Sequence, residues 1–290
     1  MDFLHFYHPA PIIFSFGPIT IYWYGLLMAL AIILGALIFY YFVKRLKVKS
    51  ALVIDLLFYL LIFGLLGGRL YHVLSEFSYY YHAPLKIFFI WQGGLGIYGA
   101  TIGGALALYF FVKKNQNKIN FSPVTNRLSL GAYILMLMDL LVPSLALGQA
   151  LGRFGNYFNQ ELFGLPTSLP WGIPIDSTNR PIEFINFEFF HPLFLYESLF
   201  CFLLFIFLFL LARKIYLTAT SVKTTPGLIL TFYLFGYSIW RFFIEFLRLD
   251  SQPIFLTLRL GQWASLFLII LAIFIYFHRK KWYNIIETRN

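Results

Sequence analysis

Seven apolar runs, each long enough to cross a bilayer, constrain this chain more than any other feature. They are Ile19–Val43, Ala51–Leu74, Leu85–Val112, Leu128–Gly152, Pro192–Ala212, Gly227–Phe246 and Leu260–Phe277. About 20 consecutive apolar residues make a membrane helix, and only helices or closed barrels satisfy every backbone polar group inside a bilayer. Charged residues are 12% of the 290, about half the share in soluble domains. The expectation is an all-α polytopic membrane protein: one integral membrane domain over residues 1–290, with seven transmembrane helices. The run at Leu128–Gly152 is the least regular, because Asp139 and Pro143 interrupt it. The run at Leu85–Val112 carries Gly93, Gly94, Gly96, Gly99, Gly103 and Gly104. Such a stripe predicts either close helix contact or a partly unwound stretch.

Basic residues set the orientation. Fifteen of the 22 Lys and Arg fall in four clusters: Lys44 to Lys49, Lys113 to Arg127, Arg213 to Lys223, and Arg279 to Arg289. By the positive-inside rule these face the cytoplasm, which puts the C-terminus inside and the N-terminus outside. The formal net charge of +10 then reflects topology and contact with anionic membrane lipids, not nucleic-acid binding. Residues 1–20 hold no Lys or Arg, lack the basic start of a cleaved leader, and are expected to be retained. The single cysteine, Cys201, reads as a buried or lipid-facing small residue. No metal-ligand spacing or nucleotide loop is present, so no cofactor is expected.

With that topology the polar residues of all seven runs gather toward the outer leaflet, and almost none are expected in the inner one. Arg153, Asn156, Asn159 and Glu161 follow the fourth run in Gly152-Arg153-Phe154-Gly155-Asn156-Tyr157-Phe158-Asn159-Gln160-Glu161. Tyr24 opens the first run, Arg69 nears the end of the second, and Tyr98 lies in the third. Glu197 begins the fifth. Arg241, Glu245 and Arg248 lie on one face of the sixth, as a structural ion-pair ladder or as part of a site. Two arginines for one carboxylate leave positive charge over, and with Arg69 and Arg153 they predict a cationic site for a phosphate held by paired hydrogen bonds. The implied ligand is an anionic phospholipid headgroup. A transporter or scramblase would need polar groups through the whole thickness, and a receptor would need a more distinctive cytoplasmic surface.

The segment Gly152-Arg153-x-Gly155-Asn156-x-x-Asn159-x-Glu161-x-x-Gly164 resembles the signature of the prolipoprotein diacylglyceryl transferases. Supporting matches are Trp23-Tyr24-Gly25, Gly68-Arg69, Trp91-x-Gly93-Gly94, Asp139-x-x-x-Pro143, His191-Pro192-x-x-x-Tyr196-Glu197, Arg241-x-x-x-Glu245-x-x-Arg248 and Gly261-Gln262. Many members carry His-Gly-Gly where this chain has Tyr98-Gly99-Ala100. The resemblance implies a bacterial inner-membrane enzyme with its active site in the periplasmic half and a periplasmic cap over 165–190. Such an enzyme moves the sn-1,2-diacylglyceryl group of phosphatidylglycerol to the lipobox cysteine of preprolipoproteins and releases glycerol 1-phosphate. Catalytic roles would fall to Arg153, Arg241, Tyr98, Asn156, Glu161 and Tyr24. Phosphatidylglycerol would be held by Arg153, Arg241, Arg69, Arg248, Glu245, Gly152 and Asn159.

Overall fold

A computed structural model describes residues 3–17, 19–119, 128–218, 225–250 and 252–284. Arg127, Lys223 and Arg289, used above, lie outside these. The long helices are α1 (Trp23–Arg45), α2 (Ser50–Ser75), α3 (Ile97–Asn115), α4 (Leu130–Phe158), α5 (Leu193–Ala212), α6 (Leu228–Ile244) and α7 (Leu260–Asn284). All except α3 are long and apolar enough to cross a membrane, counting the turns that extend α5 to Leu217 and α6 to Leu247. Their outer faces expose large apolar side chains such as Ile33, Phe58, Leu203 and Phe267, as expected where lipid is the solvent. The chain reads as a multi-pass membrane protein. It divides into two compact units, Met1–Phe39 with Met138–Lys280, and Tyr40–Leu137 with Lys281–Asn290.

The second unit is built on α2 packed along α3. A Cβ on Gly67 would fall on the Gly99 carbonyl, and one on Gly103 would fall on the Phe63 carbonyl. The glycine stripe therefore lets two backbones touch. Upstream of Ile97 the expected span over Leu85–Val112 is not a continuous helix, which is the partly unwound alternative that its glycines offered. Residues Pro84–Phe88 and Ile90–Gln92 form short 3-10 turns, and Gly93 and Gly94 take φ of +89° and +76°, which L side chains rarely adopt. Arg69 explains the unwinding. Its guanidinium donates to the carbonyls of Ile87 (2.8 Å), Gly93 (2.7 Å), Gly94 (3.0 Å) and Lys86, and it lies 5.3 Å from the Tyr80 ring centre. Carbonyls freed from a helix find their donors on this one side chain.

In the first unit α4 passes Pro143 as one continuous helix. Small antiparallel hairpins join the longer elements: Ile12–Phe16 with Ile19–Tyr22, Ile173–Pro174 with Phe189–Phe190, and Ile254–Phe255 with Leu258–Arg259. Segment 165–190 is mostly turns. It closes on α4 and α5 through a core of Tyr157, Phe163, Ile173, Ile175, Phe190 and Phe194.

Asp139 corrects the expectation that buried polar groups collect at one end of the helices. Its carboxylate accepts from Tyr216 Oη (2.7 Å), Gly227 N (2.8 Å) and Leu230 N (2.7 Å). It serves as a cap, supplied from α4, for the orphan donors at the start of α6. Gly227 and Tyr216 lie at the far ends of α6 and α5 from Arg241 and Glu197, so this is a second buried polar centre.

Candidate functional site

The last turns of α4 carry Arg153 and Asn156 three residues apart, hence on one face. Beyond Phe158 the chain reverses through Gln160 and Leu162, at φ of +51° and +56°. A left-handed non-glycine residue costs roughly 1–2 kcal/mol. At Gln160 the cost is offset by side-chain bonds to Pro9 O (2.9 Å), Asp176 Oδ2 (2.7 Å) and Asp176 N (2.7 Å). The reversal swings Glu161 back, so its Oε1 accepts from Asn156 Nδ2 at 2.8 Å and Asn159 Nδ2 at 3.3 Å. Asn156 Oδ1 in turn accepts from Arg153 Nη1 at 3.4 Å. The spacing of Arg, Asn, Asn and Glu is thus a helix end followed by a tight return.

Gly164 and Gly155 have packing reasons. The Gly164 backbone bridges to Arg248 and donates to His191 O at 3.0 Å, and a Cβ there would meet His191 Cβ at 2.8 Å. A Cβ on Gly155 would strike the Tyr24 ring, which places Tyr24 beside the end of α4. A Cβ on Gly152 would meet Met28 Sδ at 3.6 Å, an ordinary contact, so nothing in the packing demands glycine there.

Glu197, in the second turn of α5, is where the arginines converge. Its Oε2 lies 2.6 Å from Arg153 Nη2, and its Oε1 lies 3.4 Å from Arg241 Nη1 and 3.9 Å from Arg248 Nη1. Arg241 Nη2 is 2.6 Å from Glu245 Oε2. Glu245 Oε1 is 3.7 Å from both Arg248 Nε and Arg259 Nη1. Arg248 also grips Asp250 with Nε at 2.7 Å and Nη2 at 2.9 Å. Gly261 leaves room for Glu245: a Cβ there would sit 2.8 Å from Oε2. The carboxylate thereby rests against the first turn of α7, where the helix dipole favours negative charge.

Two properties of this cluster matter chemically. The Glu197 and Glu245 side chains are 2% and 0% exposed, whereas Arg153 and Arg241 keep 18% and 14%. An arriving ligand therefore meets guanidinium before carboxylate. Second, among the described residues no aligned hydrogen-bond donor reaches Glu197 Oε2 or either Glu245 oxygen. Arg241 Nη1 donates to Glu197 Oε1 at 3.4 Å, but the 2.6 Å contacts of Arg153 with Glu197 and of Arg241 with Glu245 lack hydrogen-bond geometry, so guanidinium N–H groups remain available to another acceptor. Outside the helices, burial alone would raise the Asp250 carboxyl, but Arg248, Gln252 and Arg259 outweigh it and hold it down to about 2. Burial lowers His191, favouring the neutral ring.

The structure brings together Arg153, Asn156, Asn159, Glu161, Arg241, Glu245 and Arg248, with Tyr24 and Gly152 in the same unit. Arg69 and Tyr98 belong to the other unit, where Arg69 is occupied by carbonyls and Tyr98 pairs with Tyr71 at 5.8 Å between ring centres. Glu197 and Arg259 were not among the expected site residues. A carboxylate in an otherwise apolar span was the available signal for Glu197, whereas Arg259 lacked one, because its partner Glu245 comes close only through the hairpin.

The chain matches the profile of the prolipoprotein diacylglyceryl transferases over residues 11–278. A phosphatidylglycerol–prolipoprotein diacylglyceryl transferase of Synechococcus sp. (strain CC9902) is 44% identical over 85% of this chain and 82% of its own length. One of Nostoc sp. (strain PCC 7120) is 41% identical over 90% and 86%. Another, of Prochlorococcus marinus subsp. pastoris, is 36% identical over 97% and 96%. With the profile covering most of its length and such relatives along nearly all of it, this chain belongs to the prolipoprotein diacylglyceryl transferase family.

Proposed function

We propose that this protein transfers the diacylglyceryl group of phosphatidylglycerol to the lipobox cysteine thiol of preprolipoproteins, and that the arginine cluster of the first unit holds the lipid phosphate. One observation carries the reading: guanidinium groups from separate segments share buried carboxylates, and the shortest of these contacts, Arg153 to Glu197 and Arg241 to Glu245, leave N–H bonds unaligned and guanidinium edges less buried. The relatives' names supply the substrates, and the geometry supports the division of labour.

Arg153 and Arg241 bind the phosphodiester, each able to offer a planar fork to its oxygens. Arg248 and Glu245 maintain the charge field behind them. Asn156, Asn159 and Glu161 position Arg153 and the headgroup, and Gly152 lies in the same turn. The cysteine sulfur attacks the glyceryl carbon bonded to the phosphate oxygen. The C–S bond forms as the C–O bond breaks, and glycerol 1-phosphate leaves with the electron pair. Negative charge grows on the departing phosphate, where guanidinium groups stabilise the transition state more than the ground state. The thiol proton passes to solvent, since a free cysteine near pKa 8.5 is shifted down beside positive charge. Tyr24, packed beside Gly155 at the end of α4, lines the approach of the thiol. Arg69 has a structural role in its own unit, holding the 86–94 loop.

In this reading α3 supplies a seventh crossing, the N-terminus and the 165–190 cap lie in the periplasm, and the C-terminus lies in the cytoplasm of a bacterial inner membrane. The Lys and Arg distribution supports that orientation. The test is direct. Purified protein is incubated with phosphatidylglycerol and a lipobox peptide, and the peptide is weighed. A gain of one diacylglyceryl mass, absent with a Cys→Ser peptide, is expected; an unmodified peptide in the presence of both substrates would refute the reading.

A further inference from the structure

The ion-paired network around Glu197 has a countable charge. Arg153, Arg241, Arg248 and Arg259 contribute four guanidinium groups, and Glu197, Glu245 and Asp250 contribute three carboxylates. The formal surplus is one positive charge, four less three. Among the described residues Glu161 makes no ion pair with these guanidinium groups; its Oε1 accepts from the amides of Asn156 and Asn159, and Asn156 in turn holds Arg153.

Charges this deep are expensive unless matched. Glu197 and Glu245 are the least exposed members, at 2% and 0%, while Arg153, Arg241 and Arg259 keep open edges and Asp250 lies at the rim with 26% exposed, so the innermost charges meet water only indirectly. A ligand carrying a single negative charge neutralises the network. A zwitterion brings its own cation to a site that already has one too many, and a dianion leaves one negative charge over. Glu197 is decisive because it alone contacts Arg153 at one end and Arg241 and Arg248 at the other. Arg259, 24% exposed at the rim, is its counterweight.

We infer that Glu197 is a specificity-determining residue: it sets the network's surplus at one positive charge and thereby selects lipids whose headgroup carries a net single negative charge. The inference rests on the phosphate-holding role proposed for the arginines, and it concerns lipid selection, not the transfer step. Glu197→Gln raises the formal surplus to two and shifts preference toward a dianionic phosphomonoester. Arg259→Gln lowers it to zero and weakens retention of anionic lipid relative to zwitterionic lipid.

The experiment reads bound lipid, not product. Full-length protein is placed in phosphatidylcholine nanodiscs holding equal amounts of phosphatidylglycerol, phosphatidylethanolamine and phosphatidic acid at pH 8, and the lipids retained are counted by native mass spectrometry. The wild-type protein should retain phosphatidylglycerol above the other two. Glu197→Gln should raise the phosphatidic acid to phosphatidylglycerol ratio by about tenfold, the effect of one unit charge across roughly 4 Å under an effective dielectric of about 60. Glu197→Asp, which keeps the charge, should restore the wild-type ratio. If Glu197 were only a structural brace, Glu197→Gln would weaken all three lipids together with the ratio unchanged, and that result overturns the inference. Should Glu197→Gln fail to fold, Arg259→Gln decides: an unchanged ratio of phosphatidylglycerol to phosphatidylethanolamine is then the contrary result. Selective lipid retention without peptide modification would sink the transfer reading alone, and peptide modification with unaltered ratios would sink the charge rule alone.

Discussion

Helix α4 carries a buried carboxylate, Asp139, and a partly exposed guanidinium, Arg153, roughly 21 Å apart along the helix, and they are held in opposite ways. Asp139 receives three donors at 2.7–2.8 Å, two of them backbone amides at the start of α6. Arg153 lies 2.6 Å from Glu197, yet that carboxylate oxygen has no aligned donor, and Glu245 has none on either oxygen. A satisfied buried polar group fixes structure. Ionic contacts lacking hydrogen-bond geometry instead leave donors free for a partner that arrives later. The contrast separates a brace from a site, although both read in the sequence as a charge inside an apolar run.

The widest break in the comparison is catalytic. Arg153→Ala and Arg241→Ala should each lower diacylglyceryl transfer by about 10²–10³-fold, the usual loss when one donor to a developing oxyanion is removed, and melting should move far less. Asp139→Ala should do the reverse. Stripping the acceptor from three buried donors should cost about 3–5 kcal/mol of stability, read as a lower thermal midpoint in detergent, while surviving folded protein keeps its turnover per molecule.

A finer cut is Arg153→Lys. The charge stays, but the planar fork is lost, so transfer should fall on the order of tenfold, mainly in kcat, if two oxygens are gripped at once. Wild-type kcat with lysine would reduce the role of Arg153 to a point charge.

The smallest effect concerns pH. A carboxyl held near 2 in the fold, against about 3.9 unfolded, contributes stability fully present above the unfolded value and lost as pH falls through the folded one. The melting difference between wild-type protein and Asp250→Asn should therefore stay flat from pH 5 to pH 9. A difference that grows or shrinks across that interval would show that Asp250 titrates elsewhere.

Much of this contrast was legible in the residues, in a particular way. The apolar runs located α1, α2 and α4 to α7 because length and hydrophobicity act locally. The glycine stripe announced a close approach, which Gly67, Gly99 and Gly103 make. Apolarity could not reveal that residues 84–96 unwind, since that depends on one side chain, Arg69, collecting carbonyls from the following loop. Arg153, Asn156 and Glu161 were readable as a set because a helix end and a tight return keep them near in sequence. Glu197 was quoted within a motif, but its partners lie 44 residues away on either side. Asp139 looked like an interruption of a span and is instead the cap of a distant helix.

The central claim, that guanidinium groups seated on buried carboxylates grip a lipid phosphate, is tested most directly by distance. Protein labelled with ¹³C at arginine Cζ, reconstituted in phosphatidylglycerol, can be measured for dephasing of those resonances by ³¹P. Two buried arginine signals should dephase strongly, as direct N–H···O contacts near 2.7–2.9 Å require, with one lost in Arg153→Ala and the other in Arg241→Ala. Absence of phosphorus contact at both arginines in protein that transfers diacylglyceryl would contradict it.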